Sequence, residues 1–216
     1  MFAAVAAIAL PAGTALAQTL TVTALGDSLT QGYGLPEEDG FVPVLEGWLS
    51  ERGHDVRVIN AGVSGDTTAG GAARIDWTLG DNPDALIVAL GGNDLLRGID
   101  PAASRANLAR ILTAARDAGV PVLLAGLPAP GNYGPEFRRD FEAMYVELSE
   151  EFDALHYPDF LGPIGEKAAQ GLSLSDLMQE DRIHPNAEGV RQIVAAIGPM
   201  VEDLLDRAGT APPADG

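Results

Sequence analysis

"DALIVALGG", Asp84 to Gly92, is the stretch that decides the fold. Its apolar residues run unbroken from Ala85 to Leu90, so no face is marked for water. A run this short, bounded by an aspartate and paired glycines, fits a strand buried on both faces of a parallel sheet. "VPVLLAGL" (Val120–Leu127) has the same character. Working outward, the β-branched stretches "TLTVTAL" (Thr19–Leu25) and "DVRVIN" (Asp55–Asn60), with the shorter "FDALHY" (Phe152–Tyr157), bring the expected strands to five. Helical patterns at Val42–Arg52, Thr67–Leu79, Ala102–Asp117 and Pro135–Glu151 lie between them, and Pro185–Arg207 closes the chain. Gly53 and Gly119 stand where helix C-terminal glycines belong.

Alternation of this kind predicts an α/β fold, a three-layer α/β/α arrangement around a five-stranded parallel sheet. Right-handed crossovers leave few strand orders, and the flavodoxin-like one suits five strands. In such sheets ligands bind beyond the carboxyl ends of the strands, so the chemistry belongs directly after each apolar run.

The bulk composition narrows the function classes. At 216 residues the chain is one domain's worth, with 46% hydrophobic and 20% charged residues. A formal charge of −18, with no basic run to offset it, repels nucleic acid and anionic lipid surfaces. The absence of cysteine excludes disulfides, a thiolate nucleophile and cysteine-ligated metal.

"MFAAVAAIALPAGTALAQ" has the pattern of a secretory leader, with a short apolar stretch, Pro11, and small residues Ala15 and Ala17 suited to cleavage after Ala17. The usual basic start is missing, since no Lys or Arg precedes Arg52. The expected organisation is a signal peptide over 1–17, one domain over 18–208, and a disordered Pro/Gly-rich tail over 209–216. This implies a periplasmic or secreted protein. No segment is apolar over a spanning length, so no stable membrane insertion is expected.

"GDSLT", "NAGVSGDTT" and "GGNDLLRG" follow the first three apolar runs. Each pairs glycines with short polar side chains, so three adjacent turns can present backbone N–H groups to one ligand. Ser28 is either a turn residue or a nucleophile, and as a nucleophile it needs a base. Of the three histidines, His54 belongs to a solvent-exposed loop before the second strand, and His156 sits on the fifth run as a packed or surface residue. His184 lies in "QEDRIHPNAEG", three residues after Asp181, with Pro185 placed for a helix's first turn. An Asp-x-x-His loop can orient an imidazole or merely cap a helix. Asp27 and Asp94 suit structural roles, and Asp66 suits the cap of the second helix. Ser64 lacks the Gly-x-Ser-x-Gly setting of a nucleophile elbow, which occurs nowhere in the chain.

Taken together, "GDSLT", "SGDTT", "GGND" and "DRIHP", in that order, resemble the blocks of the SGNH/GDSL hydrolase family. The resemblance extends from Thr19 to about Leu205, and points particularly to its bacterial periplasmic lysophospholipase/thioesterase/arylesterase subgroup. It implies Ser28 as nucleophile, His184 as general base and Asp181 as its orienting carboxylate. It also implies an oxyanion hole formed by the backbone N–H groups of Ser28 and Gly65 and the side-chain amide of Asn93.

"AGLPAPGNYGPEF" (Ala125–Phe137) resembles the subgroup's mobile loop over the acyl pocket, which assigns Pro128, Asn132 and Tyr133 to substrate binding. Relative to the subgroup's usual wording, Pro130 and Gly131 are extra. The expected activity is a serine esterase acting on aryl esters, thioesters or lysophospholipids. The alternatives are a carbohydrate acetylesterase of the same family, or a non-catalytic module binding a small ligand. No cofactor and no metal are implied. The expected partner is a small acyl ester, and the expected assembly a monomer or weak oligomer.

Overall fold

The computed structural model describes residues 19–210. The expected leader over 1–17 lies outside them. Strand β1 (Leu20–Gly26) runs into a single helical turn, α1 (Ser28–Gln31), and helix α2 (Phe41–Glu51) follows. Strand β2 (Val56–Gly62), α3 (Thr68–Leu79) and β3 (Ala85–Ala89) lead to the short α4 (Gly92–Arg97) and the long α5 (Pro101–Asp117). Strand β4 (Val122–Ala125), α6 (Pro135–Phe152), β5 (Leu155–Tyr157), α7 (Gly162–Ala169) and α8 (Ala187–Thr210) complete the fold. The sheet order is β2-β1-β3-β4-β5, and every pairing is parallel. The expected flavodoxin-like architecture holds.

The period of two along each strand builds two cores. Ala85, Ile87 and Ala89 join Val22, Leu123 and Ala125 against α2, α7 and α8. Leu86, Val88 and Leu90 join Leu25, Val122 and Leu124 against α3, α5 and α6. Covering both faces explains why β3 carries no polar side chain. α8 alone contributes Ile193, Val194, Ile197, Val201 and Leu204, each at most 1% exposed. Each such side chain is worth roughly 1.5–3 kcal/mol over leaving it in water.

The strand ends are level. Gly26 pairs with Gly62 on one side and Ala89 on the other, and Ala89 pairs with Ala125. This register sets the turns after β1, β2 and β3 side by side on one rim. Glycine is needed there for space: Gly91 has φ +119°, and a Cβ at this position would strike the Tyr145 hydroxyl. That hydroxyl donates to the Leu90 carbonyl at 2.8 Å, tying α6 to the end of β3.

Four local expectations are corrected. Thr67, not Asp66, caps α3, its hydroxyl accepting from the Gly70 N–H, while Asp66 is drawn into an ion pair with Arg74. Pro185 precedes α8 and bridges to Met178, and Asn186 supplies the cap through the N–H groups of Glu188 and Gly189. His54 is half-buried and bonded to Glu202 at 2.9 Å, a partner from α8 that no local pattern marks. α8 continues through Thr210, two residues into the stretch expected to be disordered. Gly53 and Gly119 do follow helix ends in left-handed conformations.

Candidate active site

β1 ends at Gly26, and the Asp27 side chain accepts the Leu29 N–H at 3.0 Å, capping α1. This turn presents Ser28 at the rim, with its hydroxyl 2.8 Å from His184 Nε2. His184 Nδ1 lies 2.6 Å from Asp181 Oδ2. An ionised Asp181 accepts a hydrogen bond from Nδ1–H, which leaves Nε2 to accept from the Ser28 hydroxyl. The two segments meeting here are 156 residues apart in sequence.

The Asp181–His184 turn is held from within and from outside. Asp181 Oδ1 also accepts the N–H groups of Ile183 and His184 at 2.9 and 3.0 Å. The hydrogen bond to the His184 ring, together with these two N–H groups, holds the Asp181 carboxyl down to about 2. Gln179 braces the turn against the segment that follows Ser28. Its backbone N–H donates to the His184 carbonyl, and its side-chain amide donates to the carbonyls of Tyr33 and Pro185, at 2.8 to 3.0 Å. The Tyr33 ring lies over the imidazole, 4.7 Å between centroids.

The other half of the site comes from the turns after β2 and β3. Gly65 has φ +82°, a left-handed conformation that suits glycine. Among the described residues, no acceptor meets the backbone N–H of Ser28 or of Gly65. Asn93, at the start of α4, donates to Asp27 Oδ2 at 3.2 Å, which fixes the orientation of its amide. Burial pushes the Asp27 carboxyl up, against the opposing pull of the Leu29 N–H and Asn93. Asp94 is fully buried and accepts from Thr68 and Ser104, locking α4 to α3 and α5.

Two arginines absent from the sequence reading complete this half. Arg97 donates to the Gly65 carbonyl at 2.8 Å. Arg74 reaches the carbonyls of Gly26 and Ala61 and the Asp66 carboxylate, spanning the ends of β1 and β2. "LLRG" and "GGAARID" contain these residues, but their targets are mostly backbone carbonyls, which a sequence does not distinguish.

Ser28, Gly65, Asn93 and His184 all line one cleft of about 700 Å³. Pro128, Asn132 and Tyr133 line it too, from the loop after β4. Of the extra pair, Pro130 faces the cleft and Gly131 opens a 3-10 turn to Tyr133. One wall belongs to the layer of α3, α5 and α6: Leu95 is part of that core, and Tyr133 packs on Phe137, 4.8 Å between centroids. The opposite wall belongs to the layer of α2, α7 and α8, through Leu29, Leu161 and Met178. His54 and His156 are outside the cleft. His156 is half-buried on β5, and burial lowers its imidazole.

A hydroxyl, an imidazole and a carboxylate in series, beside free N–H donors on a doubly wound parallel sheet, define a serine-hydrolase type of site. The chain belongs to the GDSL-like lipase/acylhydrolase family, whose model matches residues 24–192. It is 40% identical to Esterase TesA of Pseudomonas aeruginosa over 192 residues, covering 88% of this chain and 91% of that one. It is 35% identical to Thioesterase 1/protease 1/lysophospholipase L1 of Escherichia coli strain K12, covering 89% and 87% of the two chains. The solved psychrotrophic esterase EstA from Pseudoalteromonas sp., inhibited by monoethylphosphonate, superposes with a TM-score of 0.78 at 31% identity, covering 86% and 98%. The chain is accordingly a hydrolase of ester bonds.

Proposed function

We propose that Ser28, His184 and Asp181 form the catalytic triad of a serine esterase for small acyl esters. The observation that carries this reading is the continuous Ser28–His184–Asp181 hydrogen-bonded series, with contacts of 2.8 and 2.6 Å. Ser28 Oγ bonds to the acyl carbonyl carbon while its proton passes to His184 Nε2. The carbonyl oxygen becomes an oxyanion held by the N–H groups of Ser28 and Gly65 and the Asn93 amide. As the tetrahedral species collapses, the bond to the leaving oxygen or sulfur breaks and that atom takes the proton from His184. Water then repeats the sequence on the acyl-serine, freeing the carboxylic acid and restoring the hydroxyl.

Asp181 supports this chemistry by fixing the tautomer and stabilising the imidazolium. The oxyanion donors are neutral dipoles set in place before charge develops, the most effective arrangement for such a step. Leu95, Leu96, Leu127 and Tyr133 give the acyl group an apolar wall, which suits an alkyl chain better than a carbohydrate ring. Pro128, Asn132 and Tyr133 are assigned to substrate binding because they line the same cleft.

Thioesters and lysophospholipids are substrates named for the Escherichia coli relative, and with aryl esters they form the first panel to test. Turnover of a short p-nitrophenyl ester by the parent chain, and its loss in Ser28→Ala, is the expected result. Full activity in Ser28→Ala would end the reading. We also assign residues 1–17 to a secretory leader, on the small residues Ala15 and Ala17. N-terminal sequencing of the cell-derived protein should begin at Gln18, and an intact N-terminus would retract the leader.

A further inference from the structure

The chemistry of the proposed site fixes which wall of the cleft holds which part of the ester. His184 Nε2 hands its proton to the leaving atom, so the leaving group lies beside the Asp181–His184 turn. The acyl group then faces the apolar wall of Leu95, Leu127 and Tyr133. Arg182 stands on the turn itself, between the triad carboxylate and the imidazole. It lines both the cleft and an adjoining hollow of about 490 Å³ that shares Met178 with it.

Three observations single Arg182 out. It is the one permanently cationic side chain among the described residues lining the cleft, where the carboxyl groups are those of Asp27 and Asp159. Its guanidinium has no hydrogen bond or ion pair among the described residues, whereas Arg74, Arg97 and Arg191 each have one. Its backbone has φ +58°, a conformation that disfavours residues carrying a Cβ. A glycine would sit there without strain, so carrying this side chain has a local cost.

We infer that Arg182 is the receptor for a phosphate carried by the leaving group, which makes it a specificity residue. The inference rests on the serine-esterase reading and deepens it: Arg182 raises this chain's preference for an acyl ester or thioester whose alcohol or thiol bears a phosphate over its neutral counterpart. An arginine fork matches phosphate geometry with paired charge-assisted hydrogen bonds. In a chain of net charge −18 the general field repels such a substrate, and a cation beside the leaving atom offsets this locally. The phosphate takes no part in bond making or breaking. It anchors the leaving side while the acyl chain occupies the apolar wall.

Two matched substrate pairs test this. One is octanoyl glycerol 3-phosphate against monooctanoylglycerol, and the other is octanoyl-CoA against the octanoyl thioester of N-acetylcysteamine. For each pair the ratio of kcat/KM, phosphorylated over neutral, is measured in the parent chain, Arg182→Gln, Arg182→Lys and Arg182→Gly. The expected result is a ratio lower by roughly fivefold in the glutamine and glycine variants, with lysine closer to the parent. The parent's ratio should also fall as added salt screens the contact.

A fall in the oxygen-ester pair alone identifies glycerophosphate as the group recognised, and a fall in the thioester pair alone identifies the phosphates of CoA. A ratio common to all the chains overturns the inference, even where the separate rates drop together, because that pattern marks Arg182 as a support for the turn. Arg182→Gly suits the left-handed backbone and keeps the test open should glutamine unsettle it. If the parent chain hydrolyses none of the substrates and escapes labelling by a phosphonate, the esterase reading itself fails and takes this assignment with it.

Discussion

The two halves of the site are built by opposite means. The half around Gly65 and Asn93 is fastened from behind by Arg74, Arg97, Asp27 and Asp94, and the two aspartates are at most 3% exposed. The half around His184 is a turn at the rim, where the Asp181 side chain is 38% exposed and the imidazole 15%. The difference follows from the tasks. On the proposed reading Gly65 and Asn93 are donors for a developing oxyanion, which work best when they need not reorganise, and their half-buried turns are cross-braced accordingly. A proton carrier, the role proposed for His184, must meet the leaving group and then water, and a place at the rim lets both reach it.

This contrast can be broken or sharpened by a graded set of variants. Asp181→Asn strikes the base half, leaving the turn without its charged acceptor and permitting the wrong imidazole tautomer. We expect kcat to fall by roughly 10⁴-fold with KM little changed, measured on a p-nitrophenyl ester. A loss below tenfold would mean that exposure already deprives Asp181 of its role. Asn93→Ala removes one of the proposed oxyanion donors and should cost about 10² to 10³-fold in kcat. If it cost no more than a surface substitution, the assignment of that amide to the oxyanion would fall.

Arg97→Ala acts one step removed, through the Gly65 carbonyl. We expect a loss of roughly tenfold in kcat, with KM and thermal stability near those of the parent, since one charge-assisted hydrogen bond is removed. Arg97→Lys should recover part of it. A drop in Tm that accounts for the lost rate, with no recovery by lysine, would reduce Arg97 to a structural residue.

The smallest effect is in titration. Asp181 is held down to about 2 by its hydrogen bonds to the ring and backbone N–H groups of His184 and to the Ile183 N–H, whereas burial raises Asp27. A depressed carboxyl supports folding above the ordinary carboxylate range and loses that contribution progressively as pH falls from that range through about 2. A raised carboxyl does the reverse: its ionisation opposes folding, and acidification through its raised value relieves the cost. Carboxyl carbon NMR should therefore show Asp27 taking a proton before Asp181 as pH falls. The reverse order would contradict the electrostatic contrast between the halves.

The same contrast governs what the sequence discloses. Unbroken apolar runs such as Ala85–Leu90 mark buried parallel strands because no other environment tolerates them on both faces. Ser28, Gly65 and Asn93 stood out because glycines and short polar side chains follow those runs directly, whereas Asp181 and His184 follow no such run and took their roles from the resemblance to the family. The braces did not stand out. Arg97 and Gln179 act on backbone carbonyls, which every residue has, and Glu202 reaches His54 across 148 positions. The single turn α1 and the short α4 were hidden inside motifs too brief to show a helical period. Asp66 and Thr67 are both competent caps, and only the packing of Arg74 decides between them.

The central claim is tested most directly by the mass of the intact protein after exposure to a fluorophosphonate, followed by mapping of the modified peptide. The account predicts a single adduct on Ser28, with parallel loss of ester hydrolysis and no adduct in Ser28→Ala. A folded parent chain that stays unlabelled, or one labelled at Ser64 with Ser28→Ala still active, would contradict it.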